Sequence, residues 1–133
     1  MTGIDEMLAA DGYARMLGIR RVAGVEGVAV EMVVGPQHLN FHGVTHGGVV
    51  FSLADAAFSL ASNAAGERAV AIDTHLVLTA ATGEGDRLVA VAEEATRGRT
   101  LGTYRVSVTR DDGRVVGLFT GTVHITPGAP ASG

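Results

Sequence analysis

Asp55 stands in the middle of the most apolar helical stretch of the chain, residues 47–61. An ionised carboxylate there loses several kcal/mol of hydration unless something pairs with it or uses it. Partial withdrawal from water raises the pKa of such a group, which suits a general base for water or a nucleophile toward an acyl carbon. A carboxylate hydrogen-bonded to backbone or serine on a wet helix face is the alternative, and residue types alone leave both open. Ahead of it, Gly47 and Gly48 open the same stretch after His46. The first N–H groups of a helix lack intrahelical partners and sit at the positive end of its dipole, so they can hold a developing negative charge. Without side chains a carbonyl can approach closely, which is the outline of an oxyanion hole. A tight loop-to-helix turn asks for the same glycines. Asn40, in the preceding loop, can position a water or a substrate carbonyl, or can close an Asx turn.

Spacing constrains how these groups cooperate. Gly47 and Asp55 are separated by a helical rise of about 12 Å, whereas a base and an oxyanion donor must each come within about 3 Å of the reacting group. One chain cannot easily supply both to one carbonyl. A two-fold dimer that sets the helix start of one subunit beside Asp55 of the other gives two equivalent shared sites.

Other chemistries fit less well. The chain has no cysteine, hence no thiol nucleophile and no disulfide framework. It lacks a Gly-x-Ser-x-Gly elbow, a phosphate loop and a Gly-x-Gly-x-x-Gly fingerprint. His38, His42 and His46 recur at a zinc-like helical spacing, but Pro36, Gly43 and Thr45 argue against a continuous helix and no carboxylate lies between them. No metal or other cofactor is expected. His75 and His124 fall in extended runs and read as sheet residues. Arg97 and Arg99 flank Gly98, and offer either bidentate contacts to a phosphate or two solvated turn residues.

The elements that must position these residues are legible in outline. Residues 4–16 read as a short helix weakened by Gly12 and stopped by Gly18. Extended runs follow at 19–23 and 28–34, with Gly35-Pro36 ending the second and a loop over 36–46. From 47 to about 65, Val49/Val50, Leu53, Ala56/Ala57, Leu60 and Ala64 recur at three and four residues, a helix closed by Gly66. Its other face carries Ser52, Asp55, Ser59 and Ser62. Four extended segments then span 69–78, 86–96, 100–110 and 114–125. Alternation in the second and third, with Asp111-Asp112-Gly113 as a hairpin turn, predicts an antiparallel meander of the last three. The fold class is therefore α+β, one long helix against a largely antiparallel sheet. One helix cannot cover all of the apolar sheet surface, which predicts self-association.

Composition sets the frame. A chain of 133 residues with 47% hydrophobic residues suits a single domain, expected over residues 1–125, with a disordered tail at 126–133 rich in Pro, Ala, Gly and Ser. A net charge of -4 with no basic cluster argues against nucleic acid. All ten basic residues are arginine. No apolar run reaches the roughly 18 residues needed for a membrane span, since Asp55 interrupts the longest one. The N-terminal residues do not resemble a signal peptide, so the expected compartment is the cytoplasm.

The run Asn40-Phe41-His42-Gly43-Val44-Thr45-His46-Gly47-Gly48, followed by Leu53-Ala54-Asp55-Ala56-Ala57-Phe58 and Ala61-Ser62-Asn63, resembles the phenylacetic-acid-degradation thioesterases of the hotdog-fold superfamily, relatives of 4-hydroxybenzoyl-CoA thioesterase. The likeness covers nearly the whole chain, including Leu118-Phe119-Thr120-Gly121-Thr122. It implies a curved antiparallel sheet wrapped around a central helix, dimers with a continuous sheet that pair into tetramers, and active sites between subunits. The implied activity is hydrolysis of aryl- or phenylacetyl-type CoA thioesters. By this resemblance Asp55 is the catalytic base or nucleophile, the Gly47 N–H the oxyanion donor, Asn40 the positioning amide, and His46 a supporting residue at the helix start. Gly48 lies at the substrate, Ser59 matches a hydroxyl found in some relatives, and Arg97, Gly98, Arg99 and Thr100 fall where relatives contact the CoA nucleotide. Aspartate where some relatives carry glutamate points to the phenylacetyl branch. The competing reading is a non-catalytic acyl-CoA-binding hotdog protein.

Overall fold

The apolar repeat around Leu53 folds as expected into one long helix, and the rest of the chain is arranged around it. The computed structural model describes residues 3–131. It contains helices α1 (Ile4–Ala10) and α2 (Gly12–Leu17), strands β1 (Arg20–Val22) and β2 (Val28–Val33), and a 3-10 turn at Pro36–His38. The central helix α3 (Gly47–Asn63) follows, then β3 (Glu67–Leu78), β4 (Arg87–Arg97), β5 (Leu101–Arg110) and β6 (Val115–Pro130). The strands form one antiparallel sheet in the order β1-β2-β4-β5-β6-β3. Its concave face wraps α3, the α+β architecture predicted from the pattern. No helix among the described residues is long and apolar enough to cross a membrane.

Alternation puts one face of each inner strand on the helix. Leu88, Ala90 and Ala92 of β4 and Tyr104, Val106 and Val108 of β5 are buried with Val30 and Met32 of β2, facing Leu53, Ala54, Ala57 and Phe58 of α3. Phe58 is the pivot of this core. Its ring centroid lies 5.3 Å from that of Phe119 and 5.9 Å from that of Tyr104. A Cβ on Gly121 would come within 2.7 Å of the Phe58 ring, so this glycine in β6 is the space into which the ring fits. Phe58→Ala should therefore cost about 3–5 kcal/mol of folding stability, the range for a fully buried phenylalanine in a core that relaxes only partly. Denaturant unfolding measures it; a loss under about 1 kcal/mol would show that the ring does not organise this core.

Three local expectations are corrected. The single helix over 4–16 is two helices, because Asp11 adopts an extended conformation (φ -86°, ψ 100°) and caps α2, its Oδ1 accepting the Ala14 N–H at 3.0 Å. Ser62, assigned to the polar face of α3, is fully buried, since the Arg97 side chain closes over this end and donates to the Ser62 carbonyl. The tail expected from residue 126 begins later. Strand β6 continues to Pro130, with Thr126 opposite Arg68 and Pro130 opposite Glu67, and the Ala131 N–H bonds the Gly66 carbonyl. Residues 132–133 of that expectation lie outside the described residues.

The edge strand β3 is unlike the inner ones. It is exposed over most of its length, and Val70, Ile72, Val77 and Leu78 are each about half exposed or more. A long apolar edge of this kind is a template for pairing with another strand.

Candidate active site

The loop before α3 is pinned from several sides. The imidazole of His38 is buried and its Nδ1 accepts the Gly35 N–H, which locks the 3-10 turn. The His46 N–H donates to the His38 carbonyl at 2.8 Å, and the Thr45 N–H to the Thr82 carbonyl at 2.9 Å. Buried Thr45 and Thr82 also join their hydroxyls at 2.7 Å. Between these anchors Asn40 closes an Asx turn, Oδ1 accepting the N–H groups of His42 and Val44. The Asx-turn reading of Asn40 is thus the one seen, and its Nδ2 has no partner among the described residues. His42 lies exposed against Phe41, so the three histidines of the loop hold separate environments rather than one.

At the helix start, His46 is the N-cap residue and its Nδ1 accepts the Gly48 N–H at 2.9 Å. With Gly48 engaged, the Gly47 N–H is left without an acceptor among the described residues. A side chain on Gly48 would come within 2.9 Å of His46 Nδ1, so His46 can cap the helix only because Gly48 has none. Gly47 and Asn40 line a cavity of about 370 Å³ together with Val44, Val50, Leu78 and Thr82.

Asp55 lies elsewhere. It borders a smaller cavity of about 40 Å³ with Asp11, Tyr13, Ser52 and Ser59. The half-buried carboxylate accepts no hydrogen bond and makes no ion pair among the described residues, which removes the reading in which it is satisfied by serine or backbone. Ser52 is committed elsewhere, its hydroxyl donating to the Gly48 carbonyl and accepting from the Tyr13 phenol. Burial, and after it the charge of Asp11, holds the Asp55 carboxyl above the usual carboxylate range. Eight residues of straight helix separate it from Gly47, a rise of about 12 Å. The two groups face different cavities of the same chain.

Arg97 ends β4, and residues 98–100 form the turn to β5. Arg97 points inward: Nη1 donates to the Ser62 carbonyl at 3.0 Å and to the Tyr104 hydroxyl at 2.8 Å, a cation at the carbonyl end of α3. Gly98 donates its N–H to the Leu101 carbonyl, and the Thr100 carbonyl accepts from Ile125. Arg99 is exposed and makes no ion pair among the described residues. None of the four lines the cavities beside Gly47 or Asp55. Sequence reasoning missed Asp11 and Tyr13, which α2 lays against Asp55. The Asp-Gly helix start was a readable cap signal, but the docking of α2 on α3 has no local signature.

The chain is similar to known proteins. Residues 42–117 match the family model described as the thioesterase superfamily. A putative esterase of Deinococcus radiodurans is 47% identical over 116 residues, covering 86% of this chain and 79% of its own. Acyl-coenzyme A thioesterase PaaI of Escherichia coli is 38% identical over 119 residues, covering 89% of this chain and 85% of its own. The solved structure of that PaaI superposes with a TM-score of 0.87 over 92% of this chain and 90% of its own. A Streptococcus mutans protein solved with bound acetyl CoA gives a TM-score of 0.77 at 29% identity, over 81% of this chain and 88% of its own. A central helix wrapped by the same six-stranded sheet, together with identity at this level over most of the chain, means that the chain belongs to the thioesterase superfamily and has its hotdog fold.

Proposed function

We propose that the protein is an acyl-CoA thioesterase that hydrolyses aryl- or phenylacetyl-type CoA thioesters to the free acid and CoA at sites shared across a two-fold dimer. The observation that carries this is a helix-start N–H at Gly47 and a half-buried carboxylate at Asp55, each without a partner among the described residues and each facing its own cavity. The relatives support the substrate class, since the Escherichia coli protein is named an acyl-CoA thioesterase and the Streptococcus mutans protein binds acetyl CoA. Intracellular CoA esters as substrates assign the proposed activity to the cytoplasm.

In this reading the Gly47 N–H of one subunit polarises the thioester carbonyl, and Asp55 of the other takes a proton from water as its oxygen attacks the carbonyl carbon. The oxyanion rests on the amide and the helix dipole until the C–S bond breaks. The carboxyl then returns the proton to the departing thiolate. Direct attack by the Asp55 carboxylate, giving an anhydride that water opens, uses the same groups. The Asn40 Nδ2 orients the carbonyl or the water, His46 holds the helix start, Gly48 leaves room for the ester, and the Ser59 hydroxyl lies one turn beyond the base. At the residue 98–100 turn, Arg99 is the uncommitted cation for the CoA phosphates. Arg97 is turned inward, with Nη1 engaged and Nη2 buried, so its share in that contact is the smaller one. The apolar edge of β3 supports pairing of two copies, and in the same proposal two dimers form a tetramer.

A thiol-release screen over aryl, phenylacetyl and short-chain acyl-CoA esters tests the reading. Hydrolysis with preference for the aryl esters is expected. Binding of CoA esters without release of thiol would establish the non-catalytic alternative instead.

A further inference from the structure

A third cavity, about 390 Å³, runs between α1, the C-terminal half of α3 and the start of β3. Leu60 and Ala69 form its buried floor, while Met7 and Ala10 of α1 face Val70 across it. Its mouth is shared, for Asp11 and Ser59 line both this groove and the small cavity at Asp55. Over the floor, the Asn63 amide is committed to backbone groups. Its Nδ2 donates to the carbonyls of Ser59 and Ala69, and its Oδ1 accepts the Ala69 N–H. Apart from the exposed Arg68, what remains beyond the mouth is apolar wall.

The geometry points to this groove as the acyl pocket, with Met7 and Ala10 as the residues that select the acyl group. A thioester carbonyl set against Asp55 has its acyl side directed past Ser59 into the groove, because those two side chains lie one helical turn apart on one face of α3. The chemistry of the walls fits an uncharged apolar group. A cavity of about 150 Å³ already holds a benzene, so the volume admits an arylacetyl group. This assignment rests on the thioesterase reading and adds the residues that set its selectivity.

Two substitutions change the groove in opposite directions. Ala10→Phe narrows it and should lower the ratio of kcat/KM for phenylacetyl-CoA over acetyl-CoA at least about tenfold, the scale on which apolar pockets discriminate by size. Met7→Ala widens it and should raise the ratio for decanoyl-CoA over phenylacetyl-CoA. Thermal unfolding identifies a variant that has lost its fold. Unchanged ratios in folded variants would overturn the assignment. If the wild type releases thiol from none of these esters, hydrolysis fails as the function. The same two ratios, taken from calorimetric dissociation constants, then decide the groove separately.

Discussion

Replacing Asp55 by Asn should lower kcat by about 10²–10⁴-fold, the range lost when a positioned general base is removed, and should at the same time raise thermal stability. The two effects have one cause. Asparagine keeps the shape of the side chain but takes no proton, so turnover falls while packing on α3 is kept. In the wild type the half-buried carboxyl has no partner among the described residues, and its pKa is held above the usual carboxylate value first by burial and then by Asp11. The folded protein therefore holds this proton more tightly than the unfolded chain does. Stability is full below the unfolded value, declines as pH rises toward the folded value, and stays reduced above it. The gain from Asp55→Asn should accordingly be absent below the unfolded pKa and grow as pH rises through the folded one, a pattern read from melting temperatures across that range. Asp11→Asn refines the test. Asparagine caps a helix as well as aspartate, so α2 is kept while the second cause of the raised pKa is removed. The acid limb of kcat/KM should then move to lower pH, part of the way, because burial remains. Undiminished hydrolysis by Asp55→Asn would exclude the residue from the mechanism.

Much of this was legible because the decisive signals are local or periodic. The charge at Asp55 stands out against Leu53, Ala57 and Leu60, and the glycines at 47 and 48 mark a helix start without reference to anything distant. Alternation predicts the buried sides of β4 and β5, and Asp111-Asp112-Gly113 gives the turn, Gly113 adopting φ +85° as the hairpin requires. What was not legible depends on contacts between remote segments. Residues 126–130 have the composition of a tail, yet the open backbone at the start of β3 recruits them, with the Gly128 N–H donating to Glu67 and Pro130 tolerated at a strand end. Arg97 reads as a turn cation until Tyr104 and the end of α3 are placed beside it. Phe58 carries no special mark in the sequence, and only the glycine opposite, in a strand over sixty residues later, shows why its ring is central.

Two variants that are each nearly inactive should restore each other when their subunits are mixed. Gly47→Pro removes the proposed oxyanion N–H with little damage to the helix, because Gly47 is the first helical residue, where proline is favoured. The preceding residue is compatible too, since His46 already has the extended conformation (φ -62°, ψ 133°) that a following proline demands. A Cβ at this position meets only the end of the Leu78 side chain, at 3.0 Å, which can move aside. Loss of one such donor lowers kcat by about 10²–10³-fold. In a mixed dimer of Gly47→Pro with Asp55→Asn, one site combines the intact amide of one subunit with the intact carboxylate of the other. The second site lacks both. Equimolar random pairing makes half of the dimers mixed and leaves one of their two sites whole, so activity should return to about one quarter of the wild type. Co-expression with two affinity tags isolates the mixed species, which should then reach about half. Recovery of this size cannot come from sites built within single subunits, where each chain would carry its own defect into its own site. Mixed dimers no more active than their parents would mean that the Gly47 amide and the Asp55 carboxylate do not meet across the interface.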